Sequence, residues 1–334
     1  MIKIAINGFG RIGRRVFRLL QDYNDIQVVA INDLADTKTL SHLLKYDSVH
    51  GGFKGIVSHD DSNIIVNNKK IALLNYNHPK EINWKPFNVD YVIESTGKFR
   101  SKIDLQHHIT NGAQCVILSV PSLEDDIKTI VMGVNDKSID GTETIISNAS
   151  CTTNNAAPMI DIINKLCGIN QAYITTVHSY TTDQSLHDQP HRDLRRSRAA
   201  GQSIVPTTTG AAKALTKIFP ELSNVIGGCG IRVPVINGSL TDITFNVKKT
   251  VSIEKINNAF KEASEKHYKG ILEYTEDPIV SIDIVGNTHS CIFDSGMTSV
   301  IGNMVKIIGW YDNETGYSKR IIDLICNLSV KKCV

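Results

Sequence analysis

Cys151 is the residue of this chain best placed to do chemistry. It stands in the run Ser147, Asn148, Ala149, Ser150, Cys151, Thr152, Thr153, Asn154, where small and capping residues lead into an apolar helical pattern. That order puts Cys151 at or near a helix N-terminus, where the positive end of the helix dipole favours a thiolate. Cys115, Cys167 and Cys326 sit in apolar patterns instead and are expected to fill the core. A nucleophilic cysteine needs a base. His178, just past the strand pattern of residues 172–177, is the best placed of eleven histidines, although the sequence does not itself bring it to Cys151.

A second group of residues is suited to anions. Asp193, Leu194, Arg195, Arg196, Ser197 and Arg198 form a polar, basic stretch. Residues 206–213 then read as a hydroxyl-rich turn, with Thr209 and Gly210 at the start of a helix, so hydroxyls and backbone N–H groups are offered to a phosphate. Arg232 is a lone guanidinium in an apolar strand and calls for an anionic partner. A solvated loop or a nucleic-acid patch would also carry arginines. The formal net charge of +2 and the lack of interleaved aromatics argue against nucleic acid. Phosphate or a small phosphorylated substrate accounts for Arg195, Thr209 and Arg232 together.

A third group is suited to a dinucleotide. Gly8, Phe9, Gly10, Arg11, Ile12 and Gly13 follow a strand and open a helix. In the G-x-G-x-x-G pattern the first glycine permits the turn, the second lets a pyrophosphate approach the backbone, and the third lets helix and strand pack closely. The helix start offers N–H groups to the phosphates. Asp33 lies 20 residues after Gly13, where a carboxylate would accept the adenosine ribose hydroxyls and repel the extra phosphate of NADP. NAD is therefore the expected cofactor.

The elements that must carry these groups follow from apolar periodicity. A strand at residues 2–6, a helix from Arg11 to about Tyr23 and a strand at 26–31 make a βαβ unit. Strands at 91–94, 115–120, 130–131 and 144–146 are nearly continuous in apolar character, which suits a mostly parallel sheet covered on both faces. After Ser150 the pattern changes. A helix at 152–166 leads to strands at 172–177, 230–233, 240–247 and 306–309 that alternate more, as mostly antiparallel strands do. Helices are expected at 253–267 and 317–328, and a long functional loop at 187–206. The fold class is thus α/β, with a Rossmann-type doubly wound parallel sheet plus an α+β catalytic domain. The expected domains are 1–150, 151–316 and a C-terminal helix, 317–334, that returns to the first.

The 334 residues exceed what one core usually supports, about 250–300 residues. Seven scattered cysteines with no C-x-x-C spacing suggest neither a disulfide framework nor a metal site, and point to a reducing, cytoplasmic setting. The N-terminus lacks the apolar stretch and cleavage site of a signal peptide. No run of about 18 apolar residues spans a membrane.

Several stretches together resemble the glyceraldehyde-3-phosphate dehydrogenase family: Asn7 to Arg14, Ser147 to Asn154, Val177-His178-Ser179, Thr207 to Lys213, Arg232-Val233-Pro234 and residues 310–318. They run in order along nearly the whole chain. The resemblance implies Cys151 as nucleophile and His178 as base. It implies cofactor contacts at Arg11, Ile12, Asp33, Ser119 and Asn313, beside the glycines already named. Thr181 and Arg232 match the site for the substrate's C3 phosphate, and Ser150, Thr152, Arg195, Thr209 and Gly210 match contacts to inorganic phosphate or substrate. It further implies a homotetramer in which the 187–206 region approaches a neighbour's cofactor. The stretch 193–196 looks like the bacterial and plastid branch.

Three departures stand out. The family's frequent second cysteine, four residues after the first, is Asn155 here. An arginine on the adenine side is replaced near Asn77. Asp33 with Pro190 matches the NAD-using pattern. Erythrose-4-phosphate dehydrogenase shares the nucleophile and resembles the chain at 193–198, whereas Tyr311, Thr315 and Tyr317 look more like the glyceraldehyde-3-phosphate enzyme. A non-enzymatic NAD- or RNA-binding protein that kept the fold would not need the reactive thiol.

Overall fold

Alternating isoleucines do build the first strand, β1 (Ile2–Asn7), and Gly10 then precedes helix α1 (Arg11–Leu20). The helix ends before Tyr23. Gln21, Asp22 and Tyr23 donate to Arg18, Leu19 and Leu20, so the last turn tightens to a three-residue repeat. Strand β2 (Ile26–Asn32) closes the βαβ unit and helix α2 (Thr37–Lys45) follows, its Asp36 cap accepting from Thr39 N–H at 2.6 Å.

This is a computed structural model, and it describes residues 1–332. The chain divides into two compact units. The first comprises Met1–Ile130, Asp136–Ala149 and the helical tail from Ser318 on; the second comprises Val131–Asn135 and Ser150–Tyr317.

In the first unit the chain continues through β3 (Val57–His59), β4 (Asn63–Val66), β5 (Lys69–Leu74), β6 (Tyr91–Glu94), α3 (Lys102–Thr110), β7 (Cys115–Leu118), β8 (Lys128–Thr129) and β9 (Ile145–Ser147). These strands form a nine-stranded sheet in the order β3-β4-β5-β2-β1-β6-β7-β9-β8. From β5 to β8 every pairing is parallel. All residues of β6 and β7 are buried, which is why their sequences read as unbroken apolar runs. One edge differs from expectation. β3, β4 and β5 are antiparallel, and β4 and β5 join through Asn67 and Asn68, both at left-handed φ of 49° and 64°. Two such residues make the tight turn whose twist fits a hairpin. The strand expected at 130–131 falls instead at Lys128–Thr129, and Ile130 N–H adds one bond to Ser147 O at 2.8 Å.

The second unit opens with helix α4 (Cys151–Cys167) and strand β10 (Ile169–Ser179). Then come β11 (Val205–Thr207), α5 (Ala211–Ile218), β12 (Ile226–Val233), β13 (Ser239–Val247), α6 (Ile253–Glu265), β14 (Leu272–Thr275), β15 (Cys291–Asp294), β16 (Ser299–Ile301) and β17 (Met304–Tyr311). Helix α7 (Thr315–Lys332) ends the described chain. The eight-stranded sheet runs β11-β12-β10-β13-β17-β15-β14, with β16 on β17. It is mostly antiparallel, but β10 pairs with β12, and β14 with β15, in parallel. The inner face of β13 is buried at Ser239, Thr241, Ile243, Phe245 and Val247, the period of two that the sequence displays. α4 lies on this sheet, in contact with β10, β13, β15 and β17.

In the first unit the glycine turn tolerates no bulk at its close approach. A Cβ on Gly13 would stand 2.3 Å from Gly8 O. Gly13→Ala is expected to push α1 off β1 and to cost about 1–3 kcal/mol, as overpacking does. A lowered urea midpoint for the variant would bear this out, and an unchanged midpoint would show that the turn gives way freely.

Candidate active site

Serine and cysteine meet at the start of α4. Ser150 caps the helix, its hydroxyl oxygen accepting from Thr153 N–H at 3.1 Å. Ala149, one residue earlier, has a φ of 57°, so the chain bends sharply into the cap. Cys151 is therefore the first helical residue, half-buried. Its Sγ lies 3.4 Å from His178 Nε2. His178 is delivered by β10, whose penultimate residue it is, and is only 4% exposed. Its Nδ1 is 2.7 Å from Ser179 O. A hydrogen on Nδ1 donated to that carbonyl would leave the Nε2 lone pair toward the thiol, whereas the donor-only Arg232 Nη1, 2.6 Å from the same nitrogen, calls for the hydrogen on Nε2.

Sheet register supplies the third member. Parallel pairing of β10 with β12 sets Arg232 opposite His178, and antiparallel pairing of β11 with β12 sets Val205 opposite Arg232. Arg232 Nη1 reaches Ser179 O at 3.0 Å and lies 2.6 Å from His178 Nδ1. The anionic partner expected for Arg232 is thus not a nearby carboxylate; the guanidinium shares a backbone carbonyl with the imidazole. Burial is the largest influence on both reacting groups. It pushes the Cys151 thiol up, against the pull of Arg232's charge, the Thr152 N–H and hydroxyl, and the Cys151 N–H. It pushes His178 down to about 3, and here Arg232's charge acts in the same direction. The helix start does favour a thiolate, as expected, but burial opposes it. Passing the thiol proton to Nε2 would leave the site's net charge unchanged.

A hydroxyl chain backs this group. Tyr311 OH lies 3.0 Å from Thr152 Oγ1 and 2.9 Å from Thr176 Oγ1, and its ring meets His178 edge-on with centroids 5.9 Å apart. Thr152 is 5% exposed, so its hydroxyl serves this interior chain as well as the thiol. Sequence reasoning gave Tyr311 no role at the site, because nothing local indicates where its hydroxyl ends.

The remaining anion candidates lie around the irregular 180–210 segment. Thr181 is half-buried, its N–H donating to Gln184 Oε1 at 3.3 Å. Arg195 is exposed. Its backbone N–H is held by Asp193 Oδ1 at 2.9 Å, and its guanidinium makes no hydrogen bond or ion pair among the described residues. Thr209 Oγ1 accepts from Ala211 N–H at 3.2 Å, and Gly210 starts α5. No hydrogen bond or ion pair joins Arg195 or Thr209 to Arg232 among the described residues.

In the first unit the dinucleotide candidates converge. Gly8, Gly10 and Asp33 line one cavity of about 310 Å³ together with Asn77 and Lys98. Gly8 has a φ of +93°, and a Cβ there would lie 2.7 Å from Thr96 N. A Cβ on Gly10 would meet nothing within 4 Å. The protein's own packing therefore does not require that glycine. Ile12 and Gly13 stand in the first turn of α1, before its first helical bond, Arg14 N–H to Gly10 O at 3.0 Å. The Arg11 side chain is tied to Asp47 at 2.6 Å. Asp33 Oδ2 accepts from Phe9 N–H at 2.7 Å and Oδ1 from Ala35 N–H at 3.1 Å, so the carboxylate also fixes the glycine turn. Lys98 Nζ donates to Asn77 Oδ1 at 3.3 Å. Ser119 is 8% exposed with its N–H on Glu94 O at 3.0 Å.

Asn313 belongs to the second unit. Its Oδ1 accepts from Ser179 Oγ at 2.9 Å, Ser239 Oγ at 3.0 Å and Gly238 N–H at 3.2 Å. A backbone N–H can only donate, which fixes the amide's orientation and turns its NH₂ away from these three partners.

Among the core cysteines expected, Cys115 and Cys167 are buried, but Cys326 is only half-buried. Cys333 lies outside the described residues.

Arg232 acts on the two reacting groups in opposite senses, and this can be tested. Arg232→Gln removes an attraction for the thiolate, so the pH midpoint for alkylation of Cys151 by iodoacetamide is expected to rise by about one to three pH units. A midpoint that stays or falls would mean that burial alone sets the thiol.

Comparison with known proteins covers both units. Residues 2–102 match the family described as "Glyceraldehyde 3-phosphate dehydrogenase, NAD binding domain", and residues 150–313 match its "C-terminal domain". A glyceraldehyde-3-phosphate dehydrogenase of Geobacillus stearothermophilus is 50% identical over 332 residues, 99% of each chain. Glyceraldehyde-3-phosphate dehydrogenase 1 of Bacillus cereus is 48% identical over 333 residues, again 99% of each chain. Glyceraldehyde-3-phosphate dehydrogenase 2 of Streptomyces avermitilis is 51% identical over 326 residues, 97% of each chain. With both halves matched and half of all positions identical over nearly the full length, the chain belongs to the glyceraldehyde-3-phosphate dehydrogenase family.

Proposed function

We propose that this chain is an NAD-dependent phosphorylating dehydrogenase that converts D-glyceraldehyde 3-phosphate and inorganic phosphate to 1,3-bisphosphoglycerate in glycolysis. The observation that carries the reading is the 3.4 Å approach of Cys151 Sγ to His178 Nε2 at a capped helix start. Thiol and imidazole there have the separation for nucleophilic catalysis.

The residues fit the cofactor. The open space over Gly10, the first turn of α1 and the carboxylate of Asp33 suit the pyrophosphate and ribose of NAD. Gly8, Arg11, Ile12, Gly13 and Ser119 complete that set, and the amide of Asn313 suits a carboxamide. NAD, when bound, supplies the hydride acceptor.

The chain's own groups do the rest. His178 Nε2 takes the Cys151 proton, and Sγ attacks the aldehyde carbon. The oxyanion of the resulting hemithioacetal is held by backbone N–H at the start of α4 and takes the proton of the imidazolium, which leaves a hydroxyl and a neutral His178. His178 then removes the hydroxyl proton as the carbon is oxidised, leaving a thioester on Cys151. Arg232 and Thr181 hold the C3 phosphate. Ser150, Thr152, Arg195, Thr209 and Gly210 hold the inorganic phosphate that attacks the thioester and releases Sγ.

Assembly into a homotetramer is part of the proposal. Leu186, Leu194 and Ile204 on the long loop are 77%, 82% and 70% exposed, apolar area that a neighbouring subunit would cover. A cytoplasmic setting agrees with six described cysteines that are all free. No helix is long and apolar enough to cross a membrane among the described residues.

Absorbance of NADH tests the scheme. With aldehyde and NAD but no phosphate, a single burst is expected; added phosphate should give sustained turnover. Cys151→Ser should abolish the burst, and His178→Asn should slow it by roughly 10²–10⁴-fold, the usual worth of a general base. Phosphate-independent turnover, or full activity in Cys151→Ser, would overturn the thioester route.

A further inference from the structure

Asn313 Oδ1 receives more donors than it has lone pairs. The hydroxyls of Ser179 and Ser239 and the N–H of Gly238 all reach it, at 2.9, 3.0 and 3.2 Å, whereas a carbonyl oxygen offers two lone pairs. The nitrogen of the same amide is in the opposite condition. Nδ2 has no hydrogen-bond partner among the described residues and is not shut off from solvent.

The two serines act together. Ser179 N–H donates to Ser239 Oγ at 3.1 Å, so that hydroxyl accepts from Ser179 and keeps its single hydrogen for Asn313. Both serines are buried. Sheet register brings them to the amide. The pairing of Val177 with Leu240 sets the end of β10 beside the start of β13, and Ser239 is paired with Tyr311 of β17, two residues before Asn313. The backbone around Asn313 is fixed separately. Asp312 Oδ1 accepts from Glu314 and Thr315 N–H at 2.9 and 2.8 Å, and its Oδ2 accepts from Gly286 N–H at 2.7 Å.

Three buried donors on one oxygen exceed what satisfying it requires. The surplus fixes orientation. Turning the amide over would set its NH₂ against Gly238 N–H, donor against donor, and would oblige both hydroxyls to reorient. Alternation along β10 ties this arrangement to the reacting pair. Successive strand residues face opposite sides, so His178 meets Cys151 while Ser179 meets Asn313.

We infer that Ser179 and Ser239 are positioning residues for the dinucleotide: they hold the Asn313 amide so that it presents a hydrogen and not a lone pair, and thereby select a pyridine ring bearing an acceptor, the carbonyl of a carboxamide. This rests on the proposed function and adds two residues to it.

The test is calorimetric titration of the intact protein with three ligands. NAD is compared with ADP-ribose, which keeps the adenosine and pyrophosphate but lacks the nicotinamide, and with the thionicotinamide analogue, whose sulfur accepts hydrogen bonds poorly. The unaltered protein is expected to bind NAD roughly 2- to 10-fold more tightly than the thio analogue, the worth of one neutral hydrogen bond. In Ser179→Ala/Ser239→Ala the dissociation constant for NAD should rise by roughly the same factor, the preference over the thio analogue should disappear, and ADP-ribose should bind as before. Either single variant should show a smaller change in the same direction, and reads the question if the double variant does not fold. An unchanged NAD affinity and thio preference in the variants overturns the inference. So does an ADP-ribose affinity that falls in step with that for NAD, since a merely structural loss would move both. Failure of the unaltered protein to bind NAD would instead sink the proposed function, while normal binding there with insensitive variants sinks only the role of the serines.

Discussion

The Cys151 sulfur is held at the first residue of α4, and several contacts of the second unit keep that helix start in place. The helix cannot slide along the sheet. A Cβ on Gly309 would lie 2.8 Å from Met159 Sδ and 2.7 Å from Cys291 Sγ, so helix and strand meet there at a distance only glycine allows. Asn155 Nδ2 donates to Gly309 O at 3.3 Å and to Trp310 O at 3.2 Å, pinning the first turns of α4 to β17. Tyr311, next along the same strand, hydrogen-bonds back to Thr152 and to Thr176 of β10. β10 carries His178 two residues further on. The Cys151–His178 distance thus depends on a strand, β17, that contributes neither residue.

The first unit solves a related problem with a buried carboxylate. Glu94 is fully buried at the end of β6. It accepts from Asn7 Nδ2 at 2.5 Å, from Thr96 N–H at 3.0 Å and from Thr96 Oγ1 at 2.5 Å, and meets His108 Nε2 at 3.1 Å. Trp84 Nε1 can only donate, and it lies 3.0 Å from His108 Nδ1, so the imidazole hydrogen is on Nε2 and points to Glu94. Asn7 and Thr96 flank Gly8 on its two sides, one in sequence and one in space. A buried polar network satisfied on every side is costly to disturb, and here it locks both walls of the glycine turn.

Much of this was legible in the sequence wherever the signal was local. The glycine turn, Asp33 and the capped helix at Cys151 are short patterns whose chemistry is their own, and the central strands of the first sheet, β6 and β7 above all, read directly because burial on both faces leaves mostly apolar residues. The antiparallel edge β3–β5 is short and partly polar, and only the Asn67-Asn68 pair marked it. Contacts made across the sheet were not legible. That His178 faces Cys151 follows from β10 running under α4, and that Arg232 faces His178 follows from a parallel pairing of β10 with β12, which the alternation of the sequence did not distinguish from an antiparallel one. Arg195 and Arg196 look alike as letters. Only the fold shows one turned to solvent and the other spent on Asp183, Thr207 and Thr208.

Asn155 shows how far such reasoning extends. A cysteine is the family's frequent choice at this position, and the reactive thiol nearby makes a second sulfur look functional. The site argues for packing instead. Residue 155 is fully buried, one helical turn beyond Cys151 and on the face toward β17. What the position must provide there is a small side chain that meets the Gly309 and Trp310 carbonyls. An amide makes both bonds with its NH₂, and the cost is that Oδ1 is left buried without a partner. A thiol is a weaker donor but leaves no such orphan. The exchange shifts the balance between polar satisfaction and desolvation under α4.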